Sequence, residues 1–171
     1  GWTALIHAST NGHSECVDLL LKHGADIEAK DNYGWTALIY ASDNGHSECV
    51  DLLLKHGADI EAKTDSGWTA LIYASCSGHS ECVDLLLKHG ADTEAKDNDG
   101  WTALIMASRG GHSECVDLLL KHGADINAKT NRGWTALIHA SRFGRRECVD
   151  LLLKHGADIE AKNDDGYAAL I

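Results

Sequence analysis

Proline is absent from all 171 residues, an unusual omission for a soluble chain of this size. Seventeen glycines remain to make the turns, which suggests that glycine is placed by a rule rather than scattered. Long apolar runs are missing as well. The longest run of leucine is three residues, as in Leu19-Leu20-Leu21, so no segment is expected to span a membrane. An excess of basic charge is missing: the formal charge is −11 and the pI is near 5.3, which argues against nucleic-acid binding as the main role. No charged-then-apolar leader opens the sequence, so a secretory signal is not expected. Neither CxxC nor HExxH occurs, and there is no glycine-rich phosphate loop, Ser-His-Asp order or basic aromatic patch. No catalytic residue, metal site or cofactor is therefore expected, and the chain reads as non-enzymatic. Apolar content, at 44%, is sufficient to exclude a chain too polar to fold.

The rule behind the glycines is a repeat. Residues 1–33 recur from Gly34, Gly67, Gly100 and Gly133 without insertion or deletion, and a stub, GYAALI, begins at Gly166. A fixed period of 33 over five copies is strong evidence for a repeat array. Each copy has one tryptophan, at Trp2, Trp35, Trp68, Trp101 and Trp134, and one cysteine, with Cys76 as an extra.

The unit reads as two short helices and an extended loop. Thr3 is placed to cap a first helix running from Ala4 to about Thr10, with Gly12 beyond its end. Ser14 is placed to cap a second helix from Glu15 to His23, whose apolar stripe is Cys16, Val17, Leu20 and Leu21. Glu15 and Asp18 near its start and Lys22 and His23 near its end complement the helix dipole, and Gly24 supplies a left-handed exit. Neither helix reaches the roughly 12–15 residues needed for marginal stability alone. Neighbouring copies must supply the core.

Gly34-Trp35-Thr36-Ala37-Leu38, Gly45-His46 and Leu52-Leu53-Leu54-Lys55-His56-Gly57-Ala58-Asp59 resemble the ankyrin repeat, and the resemblance covers the whole chain. It implies an all-α repeat solenoid of stacked helix–turn–helix units with projecting β-hairpin loops, forming one array over 1–171. It also implies binding of a protein partner through the concave face. The near-identical copies further resemble a designed or consensus array. The family's usual Thr-Pro-Leu-His is Thr-Ala-Leu-Ile here, which explains the missing proline and removes a hydrogen-bonding histidine.

Comparison between copies locates the variation. Of 33 positions, 23 are identical in all five copies, and four differ in one copy only, at Thr93, Asn127, Arg145 and Arg146. Six carry the rest. Three lie in the first helix, with His7, Thr10 and Asn11 in the first copy, and three form the loop triplet Asp31-Asn32-Tyr33. The helix positions share one stripe by spacing, opposite Leu5 and Ala8, so variation is expected at solvent-facing positions. Exposed framework residues such as Glu15, Asp18 and Lys22 have not drifted. A frozen scaffold with a variable face suggests a selected or engineered binder; a naturally duplicated spacer or assembly element is the alternative.

The candidate contact residues on the helix stripe are Tyr40, Asp43, Asn44, Tyr73, Cys76, Ser77, Met106, Arg109, His139, Arg142 and Phe143. Those at the loop tips are Tyr33, Ser66, Asp99 and Arg132. Trp35, Trp68, Trp101 and Trp134 join them as a hydrophobic flank, although their constancy favours framework packing against the loop. A stripe of roughly 40 Å at the usual helix spacing offers enough positions for a standard interface of about 20–30 residues a side. Removing Tyr73 and Arg109 together is expected to weaken binding without lowering the melting temperature.

Cysteines on the apolar stripe read as small buried hydrophobes, too far apart for disulfides. Six free thiols then predict a reducing, cytoplasmic setting. Cys76 is expected to be the exposed one. Nine histidines are locked to the repeat, while His7 and His139 lie on the variable stripe and could lend a contact pH sensitivity. The terminal copies show no recoded polar faces of the kind that close repeat arrays, which predicts flanking residues or end-to-end stacking. The stub is expected to begin a helix. Charge is uneven: the copies carry −3, −4, −4, +1 and −1, and all five arginines fall in the last two. A partner of reversed polarity is expected.

Overall fold

The computed structural model describes residues 1–169. Ten α-helices are formed among them, two in each copy: α1 Ala4–Thr10, α2 Ser14–Lys22, α3 Ala37–Asp43, α4 Ser47–Lys55, α5 Ala70–Ser77, α6 Ser80–Lys88, α7 Ala103–Gly110, α8 Ser113–Lys121, α9 Ala136–Arg142 and α10 Arg146–Lys154. First helices pack on first helices of adjacent copies and second helices on second helices, giving two parallel layers. Each copy's pair is joined by a turn, Gly-His in copies one to four and Gly144-Arg145 in the fifth. The architecture is the expected all-α repeat solenoid.

Local chemistry starts each first helix as the spacing predicts. Thr3 Oγ1 accepts a bond from the Ile6 amide at 3.2 Å, and the other four threonines do the same at 3.2–3.4 Å. The isoleucine three residues after each cap is 0–3% exposed, so the residue replacing the family's histidine serves as core. Second helices differ from expectation. In copies one to four they begin at the serine, not after it, and α10 begins at Arg146; the residue at their N-cap, His13 in the first copy, makes no side-chain capping bond. That histidine has another use.

In copies two to four the histidine reaches back into the preceding copy. His46 Nε2 donates to the Thr10 carbonyl at 3.0 Å, and His79 and His112 donate in the same way to the carbonyls of Asp43 and Cys76. The ring lies against the preceding turn glycine: a Cβ on Gly45 would sit 2.6 Å from His79 Nδ1, and the glycine's φ of +74° is itself left-handed. In the fifth copy Arg145 Nε donates to the Arg109 carbonyl at 3.1 Å, so a different side chain preserves the rung. Glu28 Oε1 accepts from the Asp59 amide at 2.8 Å, and Asn127, which replaces that glutamate, accepts from Asp158 at 2.9 Å. Lys30 Nζ donates to the Lys63 carbonyl at 3.2 Å. Asp18 and Lys22 form an i,i+4 ion pair at 2.6 Å, repeated in every copy. Much of the unvarying surface thus has a local structural reason to stay fixed.

The projecting loops are tighter than expected. Among the described residues no strand is formed; the loop closes as a turn in which the Asp31 amide donates to the Trp35 carbonyl at 3.0 Å. Successive tips are joined by backbone bonds such as Asp65 N to Tyr33 O at 3.1 Å. Ala168 of the stub forms an isolated antiparallel bridge with Lys162 of the fifth copy, so the stub is not helical over its described residues. Leu170 and Ile171, where the predicted stub helix would continue, lie outside the described residues.

Candidate functional site

The groove between the first helices and the loop tips contains an aromatic ladder. Tyr40 lies between Trp2 and Trp35, with ring centroids at 4.9 and 4.7 Å, and Tyr73 lies between Trp35 and Trp68 at 4.3 and 4.6 Å. His139 occupies the same place between Trp101 and Trp134, at 4.7 and 4.8 Å. The tilted ring pairs are the arrangement that aromatic quadrupoles favour. The tryptophans therefore serve as framework packing, half-buried from Trp35 onward, while presenting an edge to the groove.

This placement corrects the expectation that the helix stripe is wholly solvent-facing. Met106 and His139 are buried at 5% and 6% exposure, and Tyr40, Asp43, Tyr73 and Cys76 are half-buried. A side chain inserted between two tryptophans belongs to the stack. Removing Tyr73 takes away two aromatic contacts, so the double removal of Tyr73 and Arg109 would lower stability, contrary to the sequence expectation.

The loop triplets also divide. Their first residue is not a free tip position. Asp31 Oδ1 accepts from the amides of Tyr33 and Trp35 at 2.8 and 2.9 Å, and its other oxygen accepts from Tyr40 Oη at 2.7 Å. Burial opposes the charge, but these donors outweigh it and hold the Asp31 carboxyl below the usual range; burial and the Asp31 carboxylate push the Tyr40 hydroxyl up. Asp97, Thr130 and Asn163 take equivalent amide bonds, and Thr64 accepts from Trp68. The signal was available in the sequence: only Asp, Thr and Asn occur there, side chains that accept from amides two and four residues on.

The residues that remain on the surface are Tyr33, Asn44, Ser66, Ser77, Asp99, Arg109, Arg132, Arg142 and Phe143. Tyr33 is 71% exposed and Phe143 43%. Ser77 Oγ donates to Asp43 at 3.0 Å, tying copies two and three. At the other end the structure brings together Arg109, Arg132, Arg142 and Phe143 around a cavity of about 370 Å³ floored by Trp101, Trp134 and His139. Burial, then the Arg109 and Arg142 charges, lower the His139 pKa to about 4. The imidazole is neutral at physiological pH, so the expected pH switch at this residue is absent.

Thiol accessibility differs from expectation too. Cys49, Cys82, Cys115 and Cys148 are buried as predicted, with burial raising the Cys82 thiol to about 12 and the Cys115 thiol to about 11. Cys76 is half-buried and its thiol is also pushed up by burial, whereas Cys16 is exposed. Among the described residues no three histidine, cysteine or acidic side chains are grouped to hold a metal ion, and no helix is long and apolar enough to cross a membrane.

Comparison with known families matches these features. A family model described as ankyrin repeats (three copies) covers residues 1–64 and 93–163, and a second, ankyrin repeats (many copies), covers residues 43–87. No curated protein matches the chain.

Proposed function

This chain belongs to the ankyrin repeat family, whose repeats are generally protein-binding modules, and from that premise we propose that it is a non-enzymatic binder of one protein partner. Recognition is by the groove between the first helices and the loop tips. The observation that carries this reading is the concentration of exposed aromatic and arginine side chains, Tyr33, Phe143, Arg109, Arg132 and Arg142, at positions where the copies differ. These residue types are enriched where interfaces concentrate their binding energy. A spacer would more naturally repeat one polar residue at those places. The fixed scaffold beneath them supports a selected or engineered recognition array, and the buried thiols support a reducing compartment such as the cytoplasm.

Charge polarity supports a partner whose surface runs from basic, opposite copies one to three, to acidic, opposite copies four and five. A second association rests on a separate observation. The first copy leaves Cys16 and Leu19 exposed where Cys49 is buried and Leu52 half-buried, and these residues border an apolar cavity of about 510 Å³. This face supports end-to-end stacking on another copy of the chain.

The test of the main reading is a pull-down from lysate with the chain and with a variant carrying serine at Tyr33, Arg109, Arg132, Arg142 and Phe143. A protein captured by the parent and lost by the variant is expected. Identical capture by both would overturn the assignment of the groove.

A further inference from the structure

The arginines of copies four and five are arranged unlike the lysines of the second helices. Each lysine at Lys22, Lys55, Lys88, Lys121 and Lys154 is paired with an aspartate one turn away. Among the described residues no arginine has a carboxylate within 4.0 Å. Arg109 lies 5.5 Å from the Trp101 ring centroid and 5.6 Å from that of Phe143; Arg142 lies 5.0 Å from Trp134 and 6.0 Å from the same Phe143. Two like charges therefore share one aromatic ring, held by cation–π contacts and not by a counter-ion. Arg132 comes from the loop side of the same cavity, and Asp99 is the carboxylate on its lip.

We propose that this cavity is a subsite for an acidic segment of the protein partner, whose carboxylates are received by Arg109 and Arg142 above the Trp101, Trp134 and Phe143 rings. The guanidinium is planar and presents two parallel donors to a carboxylate, and stacking on the rings leaves its edge available for that contact. Its orientation is fixed before the ligand arrives, which reduces the entropy lost on binding. His139 lies beneath the pair and is held neutral first by burial and then by the Arg109 and Arg142 charges. A short acidic peptide is favoured over a nucleic acid because the neighbouring copies are themselves acidic, at −3, −4 and −4. A long polyanion following the groove would be repelled there, whereas a few carboxylates at the arginine end would not.

This inference rests on the groove being the partner-binding face, and its test is independent of the partner's identity. The chain, labelled with ¹⁵N, is titrated with hexaglutamate, hexaglutamine and a hexathymidylate oligonucleotide while the Arg Nε and Trp indole resonances are followed. Hexaglutamate is expected to shift Arg109, Arg142, Trp101 and Trp134 along one saturable curve, leaving Trp2 and Trp35 in place. Arg109→Gln with Arg142→Gln should weaken that binding roughly tenfold for each arginine removed, and Asp99→Asn should strengthen it. Shifts that do not saturate, equal binding of hexaglutamine, unchanged affinity in the double variant, or tighter binding of hexathymidylate would each overturn the acidic-peptide subsite. If the subsite fails while the serine variant still loses its captured protein, only this inference falls. If that variant keeps its protein, the groove reading itself falls.

Discussion

The first helices carry a row of hydroxyls whose removal is predicted to strengthen the fold. Ser9, Ser42, Ser75 and Ser108 are each 0% exposed, and their Oγ atoms have no hydrogen-bond partner. Burying a hydroxyl without a partner costs about 1–3 kcal/mol, and serine in a helix interior is a further few tenths less favourable than alanine. Alanine keeps the Cβ and leaves a void of one oxygen, which offsets part of the gain. A net stabilisation of about 1 kcal/mol per site follows, or about 4 kcal/mol for the quadruple Ser→Ala variant if separated sites add. For a chain of this length each kcal/mol moves the melting temperature by about 2–4 °C, so a rise of roughly 8–16 °C is expected by circular dichroism. The fifth copy supplies the control: Ser141 is half-buried, and Ser141→Ala should stay within about 0.5 kcal/mol of the parent. An unchanged or lower melting temperature for the quadruple variant would refute the reasoning. It would mean that the hydroxyls bond to the helix carbonyls four residues back in solution.

His139 has a folded pKa of about 4 against 6.5 in the unfolded chain. Between those values the unfolded state binds a proton that the folded state does not. Its contribution is thus complete above pH 6.5 and is lost as the pH falls towards 4. His139→Met, which places there the residue found at Met106, should lessen the fall in the denaturant midpoint between pH 7 and pH 5; an unaltered fall would count against burial of a neutral imidazole. The Arg145 rung predicts that Arg145→Ala destabilises the fifth copy by about 1 kcal/mol, a typical net hydrogen-bond contribution, and that Arg145→His largely restores it, as read by chemical denaturation. Maleimide labelling of the native chain should modify Cys16 first, with Cys76 slower and the other four protected; fastest reaction at Cys76 would contradict the burial described. Light scattering across a concentration series should show mass rising with concentration if the exposed face of the first copy stacks on another chain, and a monomer throughout would refute that association.

The period, the threonine caps, the glycine exits and the apolar stripe were legible in the sequence because each is set by residues within one copy. Contacts between copies were harder to read. The rung from His46 ends on a backbone carbonyl 36 residues earlier, and the residue supplying that carbonyl is Thr10, Asp43, Cys76 or Arg109 in turn. The acceptor leaves no trace in sequence because every residue type has it. Burial of His139 was hidden for a related reason: spacing within its helix places it on the outer stripe, but Trp101 and Trp134 of two adjacent copies enclose the side chain there.

These contacts divide the variable positions by what they are free to do. The position held by Tyr40, Tyr73, Met106 and His139 requires a side chain large enough to fill a gap in the ladder. The first loop position requires an acceptor for the amides of its own turn. The position held by Asp43, Cys76, Arg109 and Arg142 contributes its carbonyl to the framework in the first three. Its side chain is exposed to the groove only as Arg109 and Arg142, whereas Cys76 is half-buried and Asp43 accepts from Ser77 Oγ across copies. The five arginines follow this division. Arg145 replaces a structural histidine and Arg146 opens α10, while Arg109, Arg132 and Arg142 line the cavity. Only those three of the five arginines line the groove, so under the proposed reading the cationic end offered to a partner is set by three side chains.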